Sequence, residues 1–263
     1  MNETLFKVKR VVTAWSSLMI YGLTLPFYPN RRRLQKLKFA HDMLHSRLPM
    51  VSLESLLGTG VSDMELIALK AVSCHDHNCS IFELTVLAAL ARSLRPKRIV
   101  EIGTYDGRSA LAMAANLPLD SGAQVVTLNL PPDYLNDKST PLIDEQLAGK
   151  VESGYRWRGH PEANLIRQEF GNSLEYDFDQ WKPTDLAFID GGHDESIATS
   201  DSLHIMRIIN HSRGTILWHD ATRYGVKPAL EKLRAQGHKI HLIAGTTIAI
   251  LRYSGGDEID LAY

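Results

Sequence analysis

The stretch Arg98-Ile99-Val100-Glu101-Ile102-Gly103-Thr104-Tyr105-Asp106-Gly107-Arg108-Ser109-Ala110 constrains the fold of this chain more than any other. A short β-branched run feeds a glycine turn that opens directly into a helix. Gly103 can take backbone angles denied to other residues, and Gly107 lets the new helix lie close to a ligand. Backbone N–H groups and the positive end of the helix then face whatever binds there. The pattern reads as a nucleotide-type cofactor site. It lacks the close glycine pair of G-x-G-x-x-G, which holds a pyrophosphate. Glu101, at the strand's end, adds a fixed negative charge that repels phosphates and favours a ligand with a cationic end.

From Pro96 onward short apolar runs alternate with helical stretches, the sign of a parallel sheet with crossover helices on both faces. Strands are expected at about 98–102, 125–130, 165–169, 185–190, 214–219, 239–244 and 247–252. Gly245 and Thr246 are too few for a parallel crossover, so the last two strands pair as a hairpin and one runs antiparallel. The expected fold is α/β: a Rossmann-like, seven-stranded, mostly parallel sheet with a C-terminal antiparallel hairpin strand, plus an N-terminal helical extension. Residues 1–60 form that extension. Residues 61–263 form the main domain, with a helical lead-in at 61–95 and the core at 96–253.

A chain of 263 residues with 44% apolar and 22% charged residues can bury a full core. Its formal charge of -1 leaves no electrostatic footprint for nucleic acid, so no such partner is expected. Two cysteines, Cys74 and Cys79, argue against a disulfide scaffold and fit a reducing, cytoplasmic compartment. They bracket Cys74-His75-Asp76-His77-Asn78-Cys79, whose ligand types suit zinc although the spacing matches no common structural zinc pattern; a polar loop is the simpler reading. Ser80-Ile81-Phe82-Glu83 has capping-box spacing and predicts a helix from about Ile81 to Leu94. A further helix is expected at about Asp63 to Val72.

The first thirty-odd residues are amphipathic, with Val11, Val12, Trp15, Leu18, Met19 and Leu25 between Lys7, Lys9 and Arg10 on one side and Arg31, Arg32 and Arg33 on the other. Gly22, Pro26 and several hydroxyl residues make a poor spanning helix, and no transmembrane span is expected. Residues 7–33 suit peripheral membrane contact, or packing against a partner subunit in a homo-oligomer or against the same chain.

In a sheet of this kind ligands sit at the carboxyl ends of the strands. Residues at those ends are Asn129, then Gly171-Asn172-Ser173, then Asp190-Gly191-Gly192-His193, then His219-Asp220. Carboxylates and imidazoles converging there can hold a divalent ion that binds a substrate hydroxyl and lowers its pKa. The plainer alternative is that Asp190 caps the following helix and His219 is a packed core imidazole.

These residues together resemble the class I S-adenosylmethionine-dependent methyltransferases. Within them they resemble the small bacterial O-methyltransferases related to cephalosporin-hydroxylase-like, macrolide-sugar and catechol-type enzymes. The likeness covers about residues 96 to 252. It is carried by E-x-G-x-x-x-G at Glu101 to Gly107, F-I-D-G-G-H ending at His193, and I-L-W-H-D ending at Asp220. Gly225-Val226-Lys227-Pro228-Ala229-Leu230 and Ile243-Ala244-Gly245-Thr246-Thr247 extend it.

The resemblance implies S-adenosylmethionine as cofactor, held by Glu101, Gly103, Thr104, Tyr105, Asp106, Gly107, Ser109, Asn129, Asn172, Ser173 and Asp190. Asn129 stands where the family usually has an acid for the ribose hydroxyls, and Asn172 where an acid meets the adenine amino group; an amide loses the charge-assisted strength of a carboxylate. The resemblance also implies Mg2+ or another divalent metal on Asp190, His219 and Asp220, with His219 favouring an ion that accepts nitrogen. His193 occupies the place of a lysine base, and an ordinary imidazole pKa of about 6.5 suits proton abstraction. His193 and Asp190 are thus the catalytic candidates for O-methylation of a small hydroxylated acceptor, a sugar or secondary metabolite. Residues Pro131 to Asn164, with Tyr134, Tyr155, Arg156, Trp157, Arg158 and His160, are expected to act as a lid or to be packed or solvated.

Two rival classes remain. A nicotinamide oxidoreductase requires the glycine triplet that is missing here. A non-catalytic binding or assembly module on the same sheet accords with Asn129, Asn172 and the basic N-terminus.

Overall fold

The structure, a computed structural model, describes residues 46, 48–58, 67–72, 79–134, 146 and 151–261. The amphipathic segment 7–33 and residues 73–78 of the cysteine-histidine run lie outside the described residues. A compact unit spans Pro49–Ala262. It therefore takes in residues 49–58, which the sequence pattern assigned to the extension.

Among the described residues nine strands form its sheet: β1 (Met50–Val51), β2 (Arg98–Ile102), β3 (Gln124–Asn129), β4 (Ile166–Phe170), β5 (Leu186–Ile189), β6 (Thr215–Trp218), β7 (His241–Ile243), β8 (Ala249–Ser254) and β9 (Asp257–Glu258). Their order is β1-β7-β8-β6-β5-β2-β3-β4, with β9 on the edge of β8. The seven expected strands are present within a residue or two, because all but the edge strand β4 are short apolar runs that a doubly covered sheet buries, whereas β4 is polar and at most half-buried. β8 runs antiparallel between β6 and β7, as the short turn required. β1 and β9 are two residues each, too short for any periodicity to register, and they appear only through pairing with β7 and β8.

The helices are α1 (Leu53–Leu57), α2 (Ile81–Leu94), α3 (Arg108–Ala114), α4 (Glu195–Ile208) and α5 (Val226–Ala235). The capping box forms as the spacing predicts. Glu83 N–H donates to Ser80 Oγ at 3.2 Å, and Ser80 N–H donates to Glu83 Oε2 at 2.8 Å. Leu84, Leu87 and Leu90 of α2 are fully buried in the core with Ile99, Val125, Leu186 and Phe188 of the strands.

The helix expected at Asp63 to Val72 is not found over its described part, residues 67–72, which have no regular structure. Side chains satisfy the backbone there instead. Asn116 accepts from Ala68 N–H at 3.0 Å and donates to its carbonyl at 2.9 Å, while Arg156 and Arg108 donate to the carbonyls of Ala71 and Val72 at 3.1 and 2.8 Å. Buried groups that supply these bonds remove the need for a helical ladder. Among the described residues no helix is long and apolar enough to cross a membrane.

Parallel register brings the functional ends level. Ile102 of β2 pairs with Ile189 of β5, and Ile189 pairs with Trp218 of β6. Gly103, Asp190 and His219 therefore leave the sheet side by side. The chain runs outward from β2 to β3 and β4 and returns to β5 on the other side, so the crevice between β2 and β5 is the topological switch point.

Candidate active site

The turn after β2 is as tight as its glycines suggest. Gly103 has φ +97°, and a Cβ there would lie 1.9 Å from the carbonyl oxygen of Asp190. Tyr105 takes a left-handed φ of +48°, and its N–H points to Asn129 Oδ1 at 3.5 Å. Gly107, at φ +85°, opens α3, but what approaches it is the Trp157 ring, 2.3 Å from where a Cβ would be. The close neighbour expected to be a ligand is thus an aromatic side chain from the segment expected to act as a lid.

That segment is packed on the turn where it is described. Gly154 and Arg156 N–H groups donate to the carbonyls of Tyr105 and Asp106, each at 3.1 Å. Arg156 Nε donates to Asp106 Oδ2 at 2.8 Å, and both side chains are at least 95% buried. Arg158 pairs with Glu152 on the surface. Residues 135–145 and 147–150 lie outside the described residues.

Several side chains expected at the cofactor are occupied inside the protein. Glu101 is fully buried and accepts from the hydroxyls of Ser109 and Thr127. Thr104 Oγ1 meets Thr127 Oγ1 at 2.7 Å and accepts from Gln168 at 3.1 Å. Asp106 is held by Arg156. What this turn presents is backbone, together with Tyr105. The other strand ends contribute Asn129, Asn172 and Asp190; Asn172 Nδ2 donates to Tyr134 OH at 3.3 Å. Ser173 lies near the buried Asp201 carboxylate of α4, whose pKa burial raises to about 6.

The fixed charge expected of Glu101 is also revised. Burial pushes its pKa up to about 8, against the opposing effect of the two hydroxyls, with Asp190 and Asp106 adding to the rise. The group is protonated at neutral pH. An unfolded glutamate loses its proton near 4.5, so between there and about 8 the folded state binds the extra proton and stability falls as pH rises. Glu101→Gln keeps the shape and both hydroxyl contacts. Thermal melts across that range should show the variant gaining on the parent as pH rises; parallel curves would refute the burial argument.

Around Asp190 a second group gathers. Asp190 Oδ1 lies 3.0 Å from His219 Nδ1, and Glu83 Oε2 lies 3.5 Å from His219 Nε2. Glu83 is fixed by the Thr247 N–H at 2.9 Å and hydroxyl at 2.8 Å in addition to its capping bond. Burial opposes charge on His219, but Asp190 and its neighbours hold its pKa well above the ordinary imidazole value. Burial likewise opposes charge on Glu83, and the adjacent His219 imidazole with the N–H donors of Thr247 and Ser80 keeps it below the usual carboxylate range. Cys79, just before α2, places its Sγ 3.9 Å from Asp190 Oδ2.

His193 and Asp220 make a third pairing, with Nε2 3.4 Å from Oδ2. Asp220 has φ +48° and also meets Arg223 at 3.3 Å. Burial works against its charge, yet His193, His219 and Arg223 keep its pKa below the ordinary value. Gly225 N–H donates to the carbonyl of His193 at 2.9 Å, and a Cβ on Gly225 would lie 2.1 Å from Glu195 N. The His193 loop is locked by that contact. The Tyr224 ring stands edge-on to His193 at 5.4 Å and is largely exposed at the rim.

The structure thus brings Asp190, His193, His219 and Asp220 together, as their strand-end positions predict. It adds Cys79 and Glu83. Glu83 was legible only as a cap, and nothing local marks Cys79 as a neighbour of β5.

Residues 100–221 match a family described as a methyltransferase domain, a span that includes the glycine turn and all four strand-end residues. Over that span the chain is similar to a methyltransferase domain. Among solved structures it is similar to the O-methyltransferase TomG from Streptomyces achromogenes, involved in tomaymycin synthesis and solved in complex with SAM. The two are 16% identical, with 87% of this chain and 100% of that one covered and a TM-score of 0.52. An O-methyltransferase from Bacillus cereus in complex with SAH is 18% identical over 75% of this chain and 89% of that one, with a TM-score of 0.46. At 16% identity the likeness to TomG is one of fold. No curated protein matches the chain significantly.

Proposed function

We propose that this protein transfers the methyl group of S-adenosylmethionine to a hydroxyl of a small acceptor, a sugar or secondary metabolite, with His193 as the base. The observation that carries this reading is the His193–Asp220 pair beside the cofactor turn, 3.4 Å apart at the ends of adjacent strand loops. With Nε2–H held toward the Asp220 carboxylate, Nδ1 carries the lone pair that accepts the hydroxyl proton. Bound S-adenosylmethionine supplies a sulfonium methyl open to in-line attack. The protein's part is to align the acceptor oxygen and remove one proton. Asp190 gives the site a carboxylate suited to a cationic ligand, a task that protonated Glu101 does not share.

We assign the adenosyl portion to Asn129, Asn172 and Ser173 at the strand ends and the acceptor to the rim beside Tyr224. A magnesium ion on Asp190, His219 and Asp220 is poorly served. Magnesium demands oxygen ligands in near-octahedral order, whereas here an imidazole stands between the acids and Asp220 turns to His193 and Arg223. No step of the proposed transfer requires it. We further propose that residues 7–33 contact a membrane surface, a second copy or the same chain.

Isothermal titration with S-adenosylmethionine and S-adenosylhomocysteine tests the reading first. Micromolar binding is expected, since the amides retain hydrogen bonds but lose charge-assisted strength. Absence of binding would leave a non-catalytic module on the same sheet.

A further inference from the structure

We propose that Cys79, Asp190 and His219 form a binding site for a thiophilic divalent cation of the zinc class. The three donors come from separate places, the residue before α2 and the ends of β5 and β6. Their ligand atoms nevertheless all lie within 4.8 Å of one another. His219 Nδ1 is 3.0 Å from Asp190 Oδ1, and Cys79 Sγ is 3.9 Å from Asp190 Oδ2. Those separations suit the edges of a four-coordinate zinc polyhedron, about 3–4 Å for metal–ligand bonds of about 2.0–2.3 Å. A sulfur, a nitrogen and a carboxylate oxygen select zinc or cobalt over magnesium and calcium.

A second observation is independent of the cluster. Glu83 faces the far nitrogen of His219, Nε2, at 3.5 Å, and is itself held by Ser80 and Thr247. A carboxylate facing the far ring nitrogen keeps the proton on that nitrogen and leaves the near lone pair for a metal, the arrangement by which ligating histidines are oriented. Cys79 is positioned with similar care. Its carbonyl accepts from the buried guanidinium of Arg108 at 2.9 Å. Burial pushes the free thiol's pKa up to about 12, which makes it inert as a nucleophile. A cation displaces the thiol proton of Cys79 and the Nδ1 proton of His219, and both pass to solvent.

The set differs from the one the sequence resemblance implies. Cys79 replaces Asp220, whose carboxylate serves His193. Three protein donors leave a fourth position open, the count found in catalytic rather than structural zinc sites. The site does not depend on the methyl-transfer reading, which it would only extend.

The test uses the full chain stripped with a chelator and titrated with cobalt(II) alone. One ion per chain is expected, with a near-ultraviolet thiolate-to-cobalt band and the visible bands of a four-coordinate ion. Zinc should abolish both, and magnesium in large excess should not. Cys79→Ser should remove the near-ultraviolet band, and Glu83→Gln should weaken cobalt binding about 10–100-fold. A Cys74→Ser, His75→Ala, His77→Ala variant, the control for a run that carries donors of its own, should retain every signal, because the proposed site takes none of its ligands from that run. Titration with S-adenosylmethionine and circular dichroism certify each variant as folded. Should Cys79→Ser fail to fold, His219→Gln read the same way must lose cobalt. The proposal is overturned by a parent without the thiolate band, by a band that survives Cys79→Ser, or by one lost in the triple variant. A cobalt band without S-adenosylmethionine binding would sink the methyltransferase reading and leave the metal site standing; the converse would do the opposite.

Discussion

His193→Ala is expected to slow methyl transfer about 10²–10⁴-fold, the usual contribution of a positioned general base, while the affinity for S-adenosylmethionine stays unchanged. The separation follows from where His193 sits. Its loop follows β5, pinned by Gly225, with its ring between Asp220 and Tyr224, whereas the cofactor turn is built from the backbone after β2. Removing the imidazole takes away an interaction made as the hydroxyl proton leaves, so the loss belongs in kcat. The acid limb of the pH–rate profile, where a base is silenced by protonation, should vanish with it. Asp220→Asn should give a smaller loss of the same kind, because the amide still orients the ring but no longer stabilises its charged form. Equal losses of turnover and cofactor affinity in His193→Ala would remove it from the base role.

The largest stability effect is expected at Arg156. Arg156→Met should lower the unfolding free energy by about 3–5 kcal/mol, because it leaves Asp106 as a buried carboxylate without its guanidinium. The substitution also removes the bond to the Ala71 carbonyl, releasing residues 67–72 from one of their few anchors. Denaturant midpoints with an unchanged slope would read this directly. Combining Arg156→Met with Asp106→Leu should recover part of the loss, since no unpaired charge then remains. Single variants that each fall within about 1 kcal/mol of the parent would show the pair to be dispensable.

Much of this protein was legible because its signals are local. Six of the seven expected strands declared themselves as short apolar runs, and the Ser80–Glu83 spacing set the start of α2. The short link around Gly245 dictated the one antiparallel strand of the hairpin. The helix assigned to Asp63–Val72 went wrong because Asn116, Arg108 and Arg156, all distant in sequence, satisfy that backbone. Arg156 itself fell in the segment read as a lid or as packed or solvated side chains. Its partner Asp106 is fifty positions away and looked like part of the cofactor turn.

The sequence by itself determined the sheet and which residues stand at its carboxyl edge, because strand periodicity and the parallel crossover rule act over a few residues at a time. Tertiary structure alone decided what those residues do with one another. Register placed Asp190 beside His219 and Gly103, and packing of α2 brought Glu83 and Cys79 to the same place. Burial turned Glu101 from a presumed charge into a neutral acid. Such effects depend on desolvation and on distances between groups far apart along the chain, and no local pattern of residues encodes either.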